Sequence, residues 1–411
     1  MEQPAETETA ELVERLARYP ASRYPAQHAT AAFRLATVHL QYGRSDQAVP
    51  LLGTAYETFG RLDMRLEQTK ALMMHGVALR QGDRNDLASV TFERAARAFG
   101  ALEQPAEEAA AFYNLGLSLH HNGDPTAAQA ALSRAYDLFL AAGHLARAGA
   151  AARERGAYLL TSGRIGAART VLEDAADLAH RANDLPGLGA ATNALGLAYL
   201  ASDDPAAAVR EFSRAVGAYP RSLRPAEHAM VKANLAVAYE RRGQHARARL
   251  TARQALAITS AEPPVRDQAQ HVVERLHVLT GLDLLTVLDA EPIPRWPALI
   301  REEVLRWCEA PRPERRSAIR GFLNGLLERP GLGYDLAESL LSVIIELPPP
   351  PYAEMVSGIV QVTAELTPPG RERIHAIIGS AMARFAIPQW QRLAASLNAA
   401  EAAAGRDGVW Q

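Results

Sequence analysis

The sequence predicts an all-helical protein, a solenoid of six stacked helix pairs followed by a helical C-terminal domain, on three observations. Small residues stand at strict intervals of forty: Ala36, Gly76, Gly116, Gly156, Gly196 and Ala236. Each anchor carries the same satellites. Twelve residues on lie Ala48, Ala88, Ala128, Ala168, Ala208 and Ala248; sixteen on lie Leu52, Phe92, Leu132, Leu172 and Phe212, with Ala252 the exception; nineteen on lie Ala55, Ala95, Ala135, Ala175, Ala215 and Ala255. Residues 19–43 and 219–243 also overlay at an offset of 200, five periods, both opening Tyr-Pro-x-Ser-x-x-Pro-Ala-x-His-Ala. A fixed period of this length marks stacked helical repeats. Alanine or glycine where two helices cross lets them approach, while Leu, Phe and Tyr fill the flanking layers.

Taken in order, residues 7–18 read as an amphipathic helix with Thr7 or Thr9 as N-cap and Leu12, Val13 and Leu16 on one face, so that 1–27 caps the array. Residues 28–260 hold the six repeats. Turn signals separate their helices: Gly43-Arg-Ser-Asp, Gly82-Asp, Asn122-Gly-Asp-Pro, Gly163, Asp203-Asp-Pro and Gly243. Residues 261–282 form a second capping helix closed by Gly281. The register is lost over 283–411, where proline is denser and helices are expected at 295–309, 312–328, 333–346, 352–366, 369–384 and 387–404, with Pro348 to Pro351 as a stiff connector.

Composition narrows the function classes. Forty-four basic against 46 acidic side chains, a net charge of −2, argue against a nucleic-acid partner. The single cysteine, Cys308, excludes an intrachain disulfide and fits a reducing, cytoplasmic setting. The first residues are acidic and polar, unlike a signal peptide, and no apolar run is long enough to span a membrane.

Three segments carry a family likeness: FYNLGLSL at 112–119, NALGLAYL at 193–200 and KANLAVAY at 232–239. With the alanines at twelve and nineteen they resemble the tetratricopeptide repeat. The fifth unit is the fullest copy, with Leu195, Gly196, Tyr199, Ala208, Phe212, Ala215 and Pro220 in place. The longer period is similar to that of kinesin light chains, cell-polarity adaptors and bacterial peptide-responsive regulators. The resemblance implies a right-handed superhelix whose first helices line a concave groove. Its lining positions are three before the anchor (Phe33, Met73, Tyr113, Arg153, Asn193), one after (Val77, Leu117, Leu197) and four after (Arg80, His120, Leu200, Glu240). It also implies that Asn114, Asn193 and Asn234 hold the backbone of a bound peptide.

This lining is apolar, which argues against a clamp of paired lysines and asparagines for a terminal carboxylate; only Lys70 comes near. It suits a protein or peptide segment such as an amphipathic helix, or the protein's own C-terminal domain, and leaves self-association open.

Chemistry is sparse. His120 and His121 with Asp124 come nearest to a metal cluster, but adjacent helical residues diverge by about 100°, so a groove wall is the better reading. His39 and His75 fall at packing positions. Arg153, Glu154 and Arg155 concentrate charge on one first helix, with Arg153 facing the groove. Cys308 lacks an activating base and reads as structural, Glu302-Glu303 as a solvated face, and PRPERR at 311–316 as a helix start. No phosphate loop, nucleophile elbow, HExxH or paired CxxC occurs. No catalytic residue, metal or cofactor is therefore expected. The leading expectation is a non-catalytic scaffold or adaptor binding a protein or peptide in the groove. A second is an enzyme or accessory subunit that binds an apolar small molecule between groove and C-terminal domain, suggested by Trp296, Trp307 and Trp390. A third is an allosteric peptide sensor acting through a protein partner, since no DNA-binding domain precedes the repeats.

Overall fold

The computed structural model describes residues 2–276, 283–407 and 410; Gly281, expected to close a capping helix, lies outside them. The described residues are helical throughout, and they form two compact units, Met1–Asp203 and Asp204–Gln411. None of the described helices is long and apolar enough to cross a membrane.

The first unit holds α1 (Glu2–Arg18), α2 (Pro25–Gln41), α3 (Ser45–Arg61), α4 (Arg65–Gln81), α5 (Asn85–Ala101), α6 (Pro105–His121), α7 (Pro125–Ala141), α8 (Leu145–Thr161), α9 (Ile165–Arg181) and α10 (Leu185–Ala201). From α2 onward a helix begins at every twentieth residue, so the forty-residue repeat is two equal helix-turn steps. The turns explain the regularity. Each places one residue in the left-handed region at Gly43, Asp63, Asp83, Glu103, Gly123, Gly143, Gly163, Asn183 and Asp203. The next N–H then returns to a carbonyl in the last turn, as from Arg44 to His39 (2.8 Å), Gln104 to Phe99 (3.0 Å) and Arg164 to Leu159 (2.9 Å). This is the Schellman ending, which satisfies the orphan carbonyls of a helix and reverses the chain at once. Asp124 and Asp184 then cap the following helices, accepting from Ala127 N at 3.0 Å and Gly187 N at 2.9 Å.

The small anchors sit where the forty-residue pattern requires them. A Cβ on Gly76 would lie 2.7 Å from the Phe92 ring, on Gly116 2.6 Å from Leu132, and on Gly156 2.5 Å from Leu172. The anchor of each first helix thus receives the large residue sixteen positions on, in its own second helix. Leu52, Phe92, Leu132 and Leu172 are fully buried, as are the alanines at twelve. The N-terminal helix differs from expectation. It starts at Glu2, so Thr7 and Thr9 lie within it; Leu12 packs on Leu35 and Val38, whereas Val13 is exposed.

The Tyr-Pro-Ser…Pro-Ala-x-His segments replace the Schellman turn twice. After α1 the His28 Nδ1–H donates to the Tyr19 carbonyl at 2.9 Å, and in the second unit the His228 Nδ1–H donates to the Tyr219 carbonyl at 2.7 Å. A side-chain donor here closes the preceding helix early.

The second unit opens with α11 (Pro205–Ala218), α12 (Pro225–Arg241), α13 (His245–Leu256) and α14 (Pro263–Arg275). Helix α14 lies against α12 and α13, burying Ala269 and Val272 with Ala233, Ala236, Ala248 and Ala252. Then come α15 (Asp283–Asp289), a 3₁₀ turn at Ile293–Arg295, α16 (Trp296–Glu309), α17 (Arg312–Glu328), α18 (Gly333–Ile345), α19 (Pro349–Glu365), α20 (Pro368–Met382) and α21 (Ile387–Ala403). One core joins them, with Trp296, Ile300, Val304, Phe322, Leu323, Ile344, Met355, Ile374 and Leu393, and Leu250 of α13 belongs to it. Asp283 of α15 is buried and takes Arg249 at 2.6 Å and Arg253 at 2.8 Å, both from α13.

Two expectations need correction. Pro349, Pro350 and Pro351 are no connector; they form the first turn of α19, where a missing N–H costs nothing because that turn has no intrahelical acceptor for it. The short α15 was not anticipated, since seven residues give too little periodicity to be read.

Candidate functional site

In the first unit the first helices α4, α6 and α8 bring a polar ladder together. An Arg80 guanidinium N–H donates to Asn114 Oδ1 at 3.3 Å, joining α4 to α6, and Asn114 Nδ2 donates to the Ala110 carbonyl at 2.9 Å. Arg153 of α8 lies beside the Tyr113 hydroxyl of α6 and pairs with Glu154 at 2.7 Å. Burial first, then the Glu154 carboxylate, pushes the Tyr113 phenol up, against the opposing pull of Arg153. His120 stacks flat on Tyr158, centroids 3.6 Å apart at 9°. Burial, Glu154 and Tyr113 hold the Tyr158 phenol far above its ordinary range, so it stays a neutral hydroxyl.

The predicted lining residues divide by environment. Phe33, Met73, Val77, Arg80, Tyr113, Asn114, Leu117, His120 and Arg153 are all half-buried, so part of each faces solvent. Leu197 is exposed, whereas Asn193 and Leu200 are buried. In the second unit Asn234 is buried and accepts from Gln268 Nε2 of α14 at 3.0 Å, and Glu240 is held by both Arg275 nitrogens, at 2.7 and 2.8 Å. The Arg275 bonds keep the Glu240 carboxyl below its ordinary value. Capping helix α14 therefore takes the two groups that the last repeat offers.

The residue that sequence reasoning missed is Tyr158. It stands two after its anchor, a place filled in the other units by Val38, Ala78, Ser118, Ala198 and Ala238, so its bulk was a visible outlier. It fills space over Ala128 and Leu132 and supplies the surface on which His120 lies.

Other candidates resolve into structure. Asp124 caps α7, and among the described residues no three His, Cys, Asp or Glu side chains are grouped as metal ligands. His39 is buried and His75 half-buried, and burial lowers both imidazoles. Trp296 and Trp307 are core residues, with Trp390 packed against the same core, and the Trp296 indole donates to the carbonyls of Leu288 and Glu291. Burial pushes the Cys308 thiol up, away from reactivity. Glu303 corrects the solvated-face reading: it is buried, gripped by Arg306 at 2.8 Å and by Gln254 Nε2 at 3.1 Å.

A tetratricopeptide-repeat family model matches residues 109–139, the greater part of α6 and α7. That helix pair carries a tetratricopeptide repeat. Among solved structures the chain is similar to BtubC (BKLC) from P. vanneervenii, at 19% identity over 52% of this chain and 90% of that one, with a TM-score of 0.46. The apo form of RapI is matched at 12% identity over 60% of this chain and 85% of that one, TM-score 0.43. The apo form of the quorum sensor NprR from B. thuringiensis is matched at 10% identity over 93% and 99%, TM-score 0.42. No curated protein matches the chain. The tetratricopeptide match falls on the helix pair that carries Tyr113, Asn114, Leu117 and His120.

Proposed function

We propose that this protein is a non-catalytic, peptide-binding module, a scaffold or adaptor whose first-helix face on α4, α6 and α8 takes a segment of a partner protein. The observation that carries the reading is the half-buried ladder Arg80–Asn114 and Tyr113–Arg153–Glu154 beside the apolar flank of Met73, Val77 and Leu117. The donors of Arg80, Asn114 and Arg153 suit main-chain carbonyls or a carboxylate, and the flank suits apolar side chains at alternate positions. Burying such a segment contributes roughly 25 cal/mol per Å² of apolar area, set against the entropy of ordering it.

The test is selection of displayed random peptides on the full chain, repeated with Arg80→Ala, Tyr113→Ala and Leu117→Ala combined. Selected peptides should bind the unaltered chain and lose at least tenfold in affinity for the triple variant, whose circular dichroism stays helical. Equal binding to both proteins would remove the face from consideration.

A further inference from the structure

A second site lies wholly within the second unit, where the last repeat meets the C-terminal helices. A cavity of about 420 Å³ opens between α12, α13, α15 and α16, within the size range of small-molecule pockets. Its apolar wall includes Leu235, Val287 and Leu299. Its charged wall holds Lys232, Arg247 and Arg295 against Glu291 and Glu302, leaving one positive charge unmatched. Glu291 is shared, pairing with both Arg247 and Arg295.

Lys232 is the unusual member. It is 7% exposed, yet among the described residues its ammonium has only Gln254 Oε1 at 2.9 Å and Glu302 Oε2 at 3.5 Å. A charge-assisted hydrogen bond is normally shorter than that second contact. A buried ammonium with three donors, one neutral acceptor and one loose carboxylate is under-compensated, and burial makes that costly. The arrangement is nevertheless fixed from behind. Gln254 Nε2 donates to the buried Glu303, itself held by Arg306, so the amide must turn its oxygen to Lys232. Burial and the Lys232 charge lower the nearby His228 imidazole, against the opposing pull of its bond to the Tyr219 carbonyl, so it adds no charge at neutral pH.

We propose that this cavity binds a small monoanionic amphiphile: a single carboxylate that completes the coordination of Lys232, on an apolar body lying along Leu235, Val287 and Leu299. The site is independent of the peptide face proposed on α4, α6 and α8. A neutral ligand would leave the one positive charge unmatched, and a dianion would overcompensate it.

The probes are octanoate, its neutral isostere octanamide and the cation octylammonium, titrated by calorimetry into the full chain. Octanoate should bind saturably at one site, octanamide at least tenfold more weakly, and octylammonium not at all. Ala298→Trp, at an exposed position on the cavity wall, should abolish octanoate binding by filling the space while leaving the circular dichroism unchanged. Lys232→Met, if it folds, should reduce octanoate to the affinity of octanamide. Absence of saturable octanoate binding, equal binding of octanoate and octanamide, or full binding to Ala298→Trp would each overturn the proposal.

Discussion

The repeats of the first unit and the C-terminal helices α15 to α21 bury their apolar side chains in opposite ways. In the repeats the wholly buried alanines Ala48, Ala88, Ala128 and Ala168 each have one large, equally buried neighbour, Leu52, Phe92, Leu132 or Leu172, which fills a notch made by its own repeat. Burial comes in separate patches that reach no farther than the adjoining repeats. Among the C-terminal helices Trp296, Ile300, Phe322, Ile344, Met355, Ile374 and Leu393 share one core drawn from residues far apart in sequence. The first arrangement is stabilised by nearest-neighbour terms and the second collectively. Damage should therefore stay local in one and spread in the other.

The largest expected effect is Trp296→Ala. It removes a wholly packed side chain and two indole hydrogen bonds, costing about 3–5 kcal/mol. Amide exchange should quicken together across α15 to α21, and quickening confined to α16 would break the collective description. Gly116→Ala comes next. The new methyl would sit 2.6 Å from Leu132 and 3.1 Å from the Ala128 carbonyl, and such overpacking costs about 1–3 kcal/mol. Exchange should then quicken in α5 to α8 while α15 to α21 keep their protection.

A smaller effect, of opposite sign, is expected at Glu103, held at φ 55° where other turns place glycine. Left-handed backbone costs a side-chain-bearing residue about 1–2 kcal/mol, and glycine returns part of that through a more flexible unfolded chain. Glu103→Gly should therefore raise the midpoint of urea unfolding slightly, whereas a lowered midpoint would mean that the Glu103 side chain contributes more than its backbone costs.

The mildest effect is acid sensitivity, which both regions share. Burial lowers His39 and His75 in the repeats and His375 in the C-terminal helices below the ordinary imidazole value of 6.5. Arg44 adds to the shift of His39, Arg84 and Arg94 to that of His75, and Arg371 to that of His375, where Glu401 opposes it. The unfolded chain then takes up protons first, so stability is full above pH 6.5 and falls as pH drops below it. His39→Gln and His375→Gln should each flatten part of that decline in equilibrium unfolding between pH 7 and 5, and an unchanged slope in both would remove these histidines as its source.

The difference between the regions also sets what could be read in advance. The repeats were legible because one notch recurs, so Gly76, Gly116 and Gly156 announce themselves by interval. The finer twenty-residue step was hidden, because its left-handed turn residue is glycine at 43, 123, 143 and 163 but Asp, Glu or Asn at 63, 83, 103, 183 and 203. Among the C-terminal helices the ends at 309, 328 and 365 were marked by following prolines or glycine, but a run of prolines at 349–351 looks the same whether it joins helices or starts one. The ladder was half visible. Arg153 and Tyr113 follow from register, whereas the Arg80–Asn114 bond spans two repeats and depends on how far each helix is rotated. Lys232 was concealed within KANLAVAY, where it passed for repeat filler, since its burial is created by helices seventy residues downstream.

The paired clasps at Tyr19–His28 and Tyr219–His228 have a practical bearing on engineering. Because residues 19–29 and 219–229 share the Tyr-Pro-x-Ser-x-x-Pro-Ala-x-His-Ala pattern, residues 19 to 218 can be excised so that the second clasp takes the place of the first. The ligated chain would keep one intact clasp, the final repeat, its capping helix and the cavity behind it, a ready-made minimal protein for crystallography.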